Sequence, residues 1–185
     1  MSAKAKPRLI ISAPHSGTGK TTLTIALMAV LCKRGLKVQP YKVGPDYIDP
    51  GFHETVTGRP SINLDGWLLQ DNVNKYLFDK YNNDADISII EGVMGLYDGY
   101  GSEPMLGSTA HISHLLKSPV ILVMNVKGMS TSAAALVHGM KTFRDIPIKG
   151  VIINLPMSER HYEILKETIE INTDVPVIGY LPKLD

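Results

Sequence analysis

Residues suited to handling phosphate, cations and carboxylates gather in a few short stretches of this chain. SAPHSGTGKTT, residues 12–22, holds Gly17, Gly19, Lys20 and Thr21. Glycines let backbone N–H groups turn inward on a phosphate, a lysine in this place reaches the outer phosphates, and the following hydroxyl can serve Mg²⁺. VGPDYIDPGFH, residues 43–53, combines Asp46, Asp49, Tyr47 and His53 with Pro45 and Pro50. Each proline fixes φ near about −65° and biases the preceding residue toward extended geometry. Such stiffness suits carboxylates aimed at a ligand, while a surface turn with helix-capping aspartates is the competing reading.

Glu91 ends the apolar run ISII, where a carboxylate is costly unless paired or near a cation. A role at Mg²⁺, direct or through water, is expected for it. Beyond it, GVMGLYDGYGSE surrounds Asp98 with Gly92, Gly95, Gly99 and Gly101, a loop able to approach a large ligand closely. An Asx-turn at Asp98 is the plain alternative. Lys42 ends an earlier apolar run, suited to a γ-phosphate, to a substrate carboxylate, or to pairing with Asp46. His111 and His114 share a helical spacing without a third ligand, which reads as packing.

Parallel strands must hold these residues together. Apolar runs of strand length at 8–13, 37–43, 87–92, 119–126, 148–155 and 175–181 alternate with helix-like segments at 21–34, 71–82, 108–117, 130–143 and 158–170. Continuous apolar character marks strands covered on both faces, and strand–helix alternation implies right-handed crossovers in a parallel sheet. Open α/β sheets bind ligands outside the carboxyl ends of their strands. The loops at 14–19, 42–53, 91–103 and 127–130, with Asn154, all fall on that edge.

Bulk composition narrows the class. The 185 residues are 44% hydrophobic and 20% charged, enough for one domain with a sizeable core. A formal net charge of +1 without a basic, aromatic-interleaved run argues against nucleic acid or an anionic membrane as main partner. The apolar runs are too short to span a bilayer and the N-terminus leads toward a strand, so a cytoplasmic protein is expected. The single cysteine, Cys32, excludes an internal disulfide framework and reads as a packed thiol on an apolar helix face.

The phosphate loop departs from G-x-x-x-x-G-K-[ST] at its first glycine, where the chain has Pro14. His15 stands where the partition and septum-site ATPases carry an additional signature lysine. Its absence argues against an ATP-controlled dimerising switch of that kind, which stays the rival from another class.

Taken together, APHSGTGKTT, YKVGPDYIDPGFH, NLDGW, IIEGVMGLYDG, PVILVMNVKGMSTSAAALVHG and GVIINLPMSERHYEILKETIE resemble the cobyrinic acid a,c-diamide synthases over nearly the whole chain. The sheet and loop are also similar to dethiobiotin synthetase. The resemblance implies a P-loop NTPase fold of the dethiobiotin synthetase-like type and an ATP- and Mg²⁺-dependent ligase. Two peripheral carboxylates of a corrinoid, or of a related tetrapyrrole polycarboxylate, would be activated as acyl phosphates and amidated. It further implies that Gly17, Thr18, Gly19, Lys20, Thr21 and Thr22 hold the phosphates, and that Asn154 reads the adenine edge. Thr21, Asp46 and Glu91 would serve Mg²⁺; Lys42, Asp46, Asp49 and Asp98 would act in catalysis; Tyr47, Asp49 and Asp98 would meet substrate.

Members of that family continue into a glutamine-hydrolysing domain with a nucleophilic cysteine, whereas this chain stops at LPKLD. Residues 1–185 are therefore expected to form a synthetase domain whose ammonia comes from a glutaminase in cis or in trans. Cobyric acid, hydrogenobyrinate and nickel-sirohydrochlorin amidases are the close alternatives. The residues leave a homodimer open and do not choose between ATP and CTP.

Overall fold

The computed structural model describes residues 6–103 and 105–182. Residues 1–5, which the sequence suggests lead into a strand, lie outside the described part. The elements run β1 (Arg8–Ser12), α1 (Lys20–Lys33), β2 (Val38–Val43), α2 (Asp49–Thr57), β3 (Ile62–Leu64), α3 (Asp71–Tyr81), β4 (Ile87–Glu91), α4 (Thr109–Leu116), β5 (Val120–Asn125), α5 (Ser132–Phe143), β6 (Ile148–Asn154), α6 (Glu159–Thr173) and β7 (Val177–Leu181). The strands form one seven-stranded sheet in the order β3-β2-β4-β1-β5-β6-β7. Every pairing is parallel.

Chain direction fixes which face each helix covers. The steps β1 to β2 and β2 to β3 run one way along the sheet, and the later steps run the other way. Right-handed crossovers then put α1 and α2 on one face and α3 to α6 on the opposite one. The core divides accordingly. Leu23 and Met28 of α1 join Ile11, Val38, Ile89 and Val123, while Phe78, Ile112, Val137 and Leu165 join Ile10, Tyr41, Ile90 and Leu122. Central strands buried on both faces explain the unbroken apolar runs in the sequence. Cys32 is half-buried against the α1 side of the core.

Two elements differ from the sequence reading. Residues 49–53, expected as part of a rigid loop, open helix α2. Pro50 sits in its first turn, where a missing N–H costs nothing, and Asp46 Oδ1 accepts from the backbone N–H groups of Ile48 and Asp49 at 2.8 and 3.2 Å. Strand β3 was also missed. It has only three residues, and it pairs along one side with β2. Among the described residues, no helix is long and apolar enough to cross a membrane.

Candidate active site

The phosphate loop joins β1 to α1 at the middle of the sheet. Gly17 and Gly19 have φ of 76° and 98°, left-handed values that residues with a Cβ rarely adopt. Gly19, at the N-cap of α1, has no side chain to cap the helix, and the first residues of α1 line the cleft. Lys20 is buried, and its Nζ donates to the His15 carbonyl at 3.1 Å. Burial first, then the nearby charge of Lys42, pulls its pKa below the ordinary lysine value. The lysine thus sits inside its own loop as a poorly compensated cation.

Opposite it, the ends of β2 and β4 and the start of α2 build a charged cluster. Lys42 is buried, with Nζ 2.5 Å from Asp49 Oδ2, 3.1 Å from Glu91 Oε1 and 3.7 Å from Asp46 Oδ2. Burial alone would lower its pKa, but Glu91 and Asp49 together reverse the sign and raise it. Glu91 is fully buried. Burial opposes its charge, yet the hydrogen bond from His53, the Lys42 charge and the Thr21 hydroxyl hold its carboxyl below the usual range. Thr21 Oγ1 lies 2.5 Å from Glu91 Oε1 and 3.4 Å from Asp49 Oδ2.

Together these surfaces enclose a cleft of about 490 Å³, lined by Gly17, Gly19, Lys20, Thr21, Thr22, Lys42, Asp46, Asp49 and Glu91 among the residues singled out from sequence. The remaining candidates lie elsewhere. Thr18 is buried beneath the loop, and Asn154 supports it from behind by donating to the Thr18 carbonyl at 2.8 Å. A Cβ on Gly19 would overlap the Asn154 amide, so the two are tightly fitted. Tyr47 is 89% exposed and borders a neighbouring hollow with Pro45, Ile48 and Val93. Asp98 is exposed, and its Oδ2 accepts from the Gly95 N–H, three residues before it, at 2.8 Å, which is not the Asx-turn that the sequence offered.

Gly92, named in the sequence as part of a loop able to approach a ligand, lines the cleft, and so do Ser16, Val93 and Met94, which sequence reasoning passed over. Met94 holds φ of 46°, an uncommon conformation for a residue with a Cβ. His53 had been noted only for its type. It is fully buried behind Glu91, 2.7 Å from Oε2. Its signal was the i,i+4 spacing from Asp49, visible once residues 49–57 are read as a helix. His111 instead pairs with Asp71, and His161 bonds the Met129 carbonyl.

Thr21, Glu91 and Asp49 offer hard oxygen donors of the kind Mg²⁺ takes. Among the described residues no group of three or more His, Cys, Asp or Glu side chains is arranged to hold a metal by itself. Asp46 has one oxygen engaged by the α2 backbone, which leaves only Oδ2 facing Lys42.

Residues 9–185 match the family model for the CobQ/CobB/MinD/ParA nucleotide binding domain. The chain belongs to that family. Within it, the chain is 53% identical over 178 residues to the cobyrinate a,c-diamide synthase of Listeria monocytogenes, covering 95% of this chain and 39% of that protein. It is 49% identical over 181 residues to the hydrogenobyrinate a,c-diamide synthase of Streptomyces coelicolor, covering 97% of this chain and 37% of that protein. These matches bear out the resemblance to the diamide synthases drawn from the motifs. The chain spans well under half the length of these relatives.

Family membership also agrees with the fold. The septum site-determining protein MinD of Pyrococcus horikoshii, solved with Mg-ADP, superposes with a TM-score of 0.57 at 22% identity, covering 96% of this chain and 81% of that one. At that identity the likeness speaks for a P-loop α/β architecture.

Proposed function

We propose that residues 1–185 act as an ATP-dependent amide synthetase domain that converts the a and c carboxylates of cobyrinate, or of a closely related corrinoid, to amides. The observation that carries this reading is one cleft with two unlike walls. On one side Lys20 and the uncapped start of α1 await an anion. On the other, Thr21, Glu91 and Asp49 present oxygens beside the buried Lys42.

A carboxylate is a poor electrophile because it is anionic and its oxygen leaves badly. Transfer of the γ-phosphoryl group of ATP to a carboxylate oxygen gives an acyl phosphate and ADP. Ammonia then attacks the carbonyl carbon, the C–O bond to phosphate breaks, and the nitrogen loses a proton as the amide forms. Catalysis of this kind is mostly positioning and charge stabilisation. Lys20 would hold the outer phosphates, and Lys42 would offset negative charge gathering on the transferred group. Thr21, Glu91 and Asp49 would hold Mg²⁺, which would supply positive charge to offset that of the phosphates. Asp46 would fix the start of α2 and present Oδ2 to the cleft. Tyr47 and Asp98, on the rim, would meet the macrocycle, and Asn154 would brace the phosphate loop and read the adenine edge.

The ammonia source would be a glutaminase domain, in cis or in trans, acting with this domain in the cytoplasm, with a homodimer as one assembly. The test is ATP-dependent amidation of cobyrinate by the purified chain, read by mass, with ammonium salt or with ammonia-free glutamine. Product with ammonium alone is expected. Product from glutamine would overturn the domain assignment, and ammonium-supported product independent of ATP would overturn the reaction.

A further inference from the structure

We infer that His53 is a positioning residue that locks the Glu91 carboxylate in one orientation toward the phosphate loop, a role that rests on the proposed nucleotide site and deepens it. Glu91 divides its oxygens. Oε1 meets Thr21 at 2.5 Å and Lys42 at 3.1 Å, whereas Oε2 meets His53 Nε2 at 2.7 Å. Without a partner on Oε2, the carboxylate could rotate about its last torsion and exchange or withdraw the oxygen that faces Thr21, since that torsion is broad. His53 removes that freedom.

The imidazole is itself held at both ends. Its Nδ1 lies 3.0 Å from Ser61 Oγ, and the ring is fully buried. The charged Glu91 can only accept, so Nε2 must carry the proton that it donates, and Nδ1 faces a hydroxyl able to complement it. The arrangement runs from Ser61, just before β3, through His53 on α2 to Glu91 at the end of β4, and on to Thr21 at the start of α1. Asp49, four residues before His53 on α2, meets Lys42 and Thr21 from the same helix face. Helix α2 therefore grips the cluster at two points one turn apart. Asp49 touches the cleft directly; His53 acts through Glu91.

The experiment compares His53→Gln, His53→Leu and Ser61→Ala by the Mg²⁺ concentration needed for ATP binding in calorimetry, and by ligand-free crystal structures of the variants. A glutamine can reproduce the Nε2–H donor, and leucine cannot. Outer partners of a metal-ligating side chain typically change affinity by about 10–100-fold. His53→Leu should need at least about tenfold more Mg²⁺ and show Glu91 turned from Thr21, His53→Gln should stay within about threefold of the wild type with Glu91 in place, and Ser61→Ala should fall between them. Equal losses in the glutamine and leucine variants, or wild-type Mg²⁺ demand and an unmoved Glu91 in the leucine variant, would overturn the inference while sparing the site. Should leucine prevent folding, the contrast between His53→Gln and Ser61→Ala decides: the inference fails if Ser61→Ala leaves Mg²⁺ demand unchanged. Mg²⁺-independent ATP binding by the wild type would overturn both the inference and the metal reading beneath it.

Discussion

The two walls of the cleft solve the burial of a lysine in opposite ways. Lys42 is surrounded by acids, and its positive charge is favoured although the side chain is buried. Lys20 Nζ bonds the His15 carbonyl, and burial with the nearby charge of Lys42 outweighs the pull of Glu91, Asp98 and Asp49, so its charge is disfavoured. A buried ion whose counter-charges only partly offset its desolvation is a cost to the fold. The contrast separates a wall whose charges are paired within the protein from one suited to the phosphates of the proposed reaction.

The largest expected effect follows from the unsatisfied side. Lys20→Ala should weaken Mg-ATP binding by roughly a hundredfold or more, through loss of charge-assisted hydrogen bonds to phosphate. Calorimetry would measure it, and unchanged affinity would break the comparison by showing that Lys20 awaits no phosphate. On the satisfied side, Asp49→Asn should raise the Mg²⁺ needed for ATP binding and lower amidation by about a hundredfold, because the partner of Lys42 and Thr21 loses its charge. Asp46→Asn should cost less, since an asparagine oxygen can still accept the two α2 N–H groups. Equal turnover losses in the two variants would show that Asp49 has no special place beside Thr21.

How far the sequence exposed this arrangement depends on the range of the interactions concerned. The strands under Glu91 and Lys42 were readable because burial on both faces leaves long apolar runs. The phosphate loop was readable because its glycines and lysine fall close together, at 17, 19 and 20. Helix α2 was hidden by Pro45 and Pro50, which suggest a loop although a proline is at home in the first helical turn. Strand β3 is too short to carry a pattern, and its pairing with β2 is set by tertiary packing. The split of Glu91 between His53 and Thr21 joins residues 38 and 70 positions apart, beyond any local spacing rule.

Acidity and alkalinity should strain the two walls at different ends of the scale. Glu91 has a depressed pKa in the fold, so its contribution to stability is present above the ordinary glutamate value and is lost as pH falls through the folded value. Lys42, raised, contributes below the ordinary lysine value and loses its contribution only above it. Lys20, lowered, sheds its proton before an ordinary lysine does as pH rises. ATP affinity should therefore decline on the alkaline side while thermal stability is still held by the Lys42 cluster. Titrating affinity and melting temperature on one pH series would show whether they part in this order.

The smallest effect is expected behind the loop. Asn154→Ala removes one hydrogen bond to the Thr18 carbonyl and should reduce ATP affinity by about three- to tenfold. A loss as large as that of Lys20→Ala would mean that bracing, and not charge, dominates the phosphate wall.

The central claim is that the two walls together move a phosphoryl group onto a carboxylate. Cobyrinate labelled with ¹⁸O in its carboxylates, given to the chain with ATP, Mg²⁺ and ammonium, tests it through the phosphate released. An acyl phosphate requires that each amide formed deliver one ¹⁸O to inorganic phosphate, seen as a mass shift on two phosphates for every diamide. Amide formation accompanied by unlabelled phosphate would contradict the account.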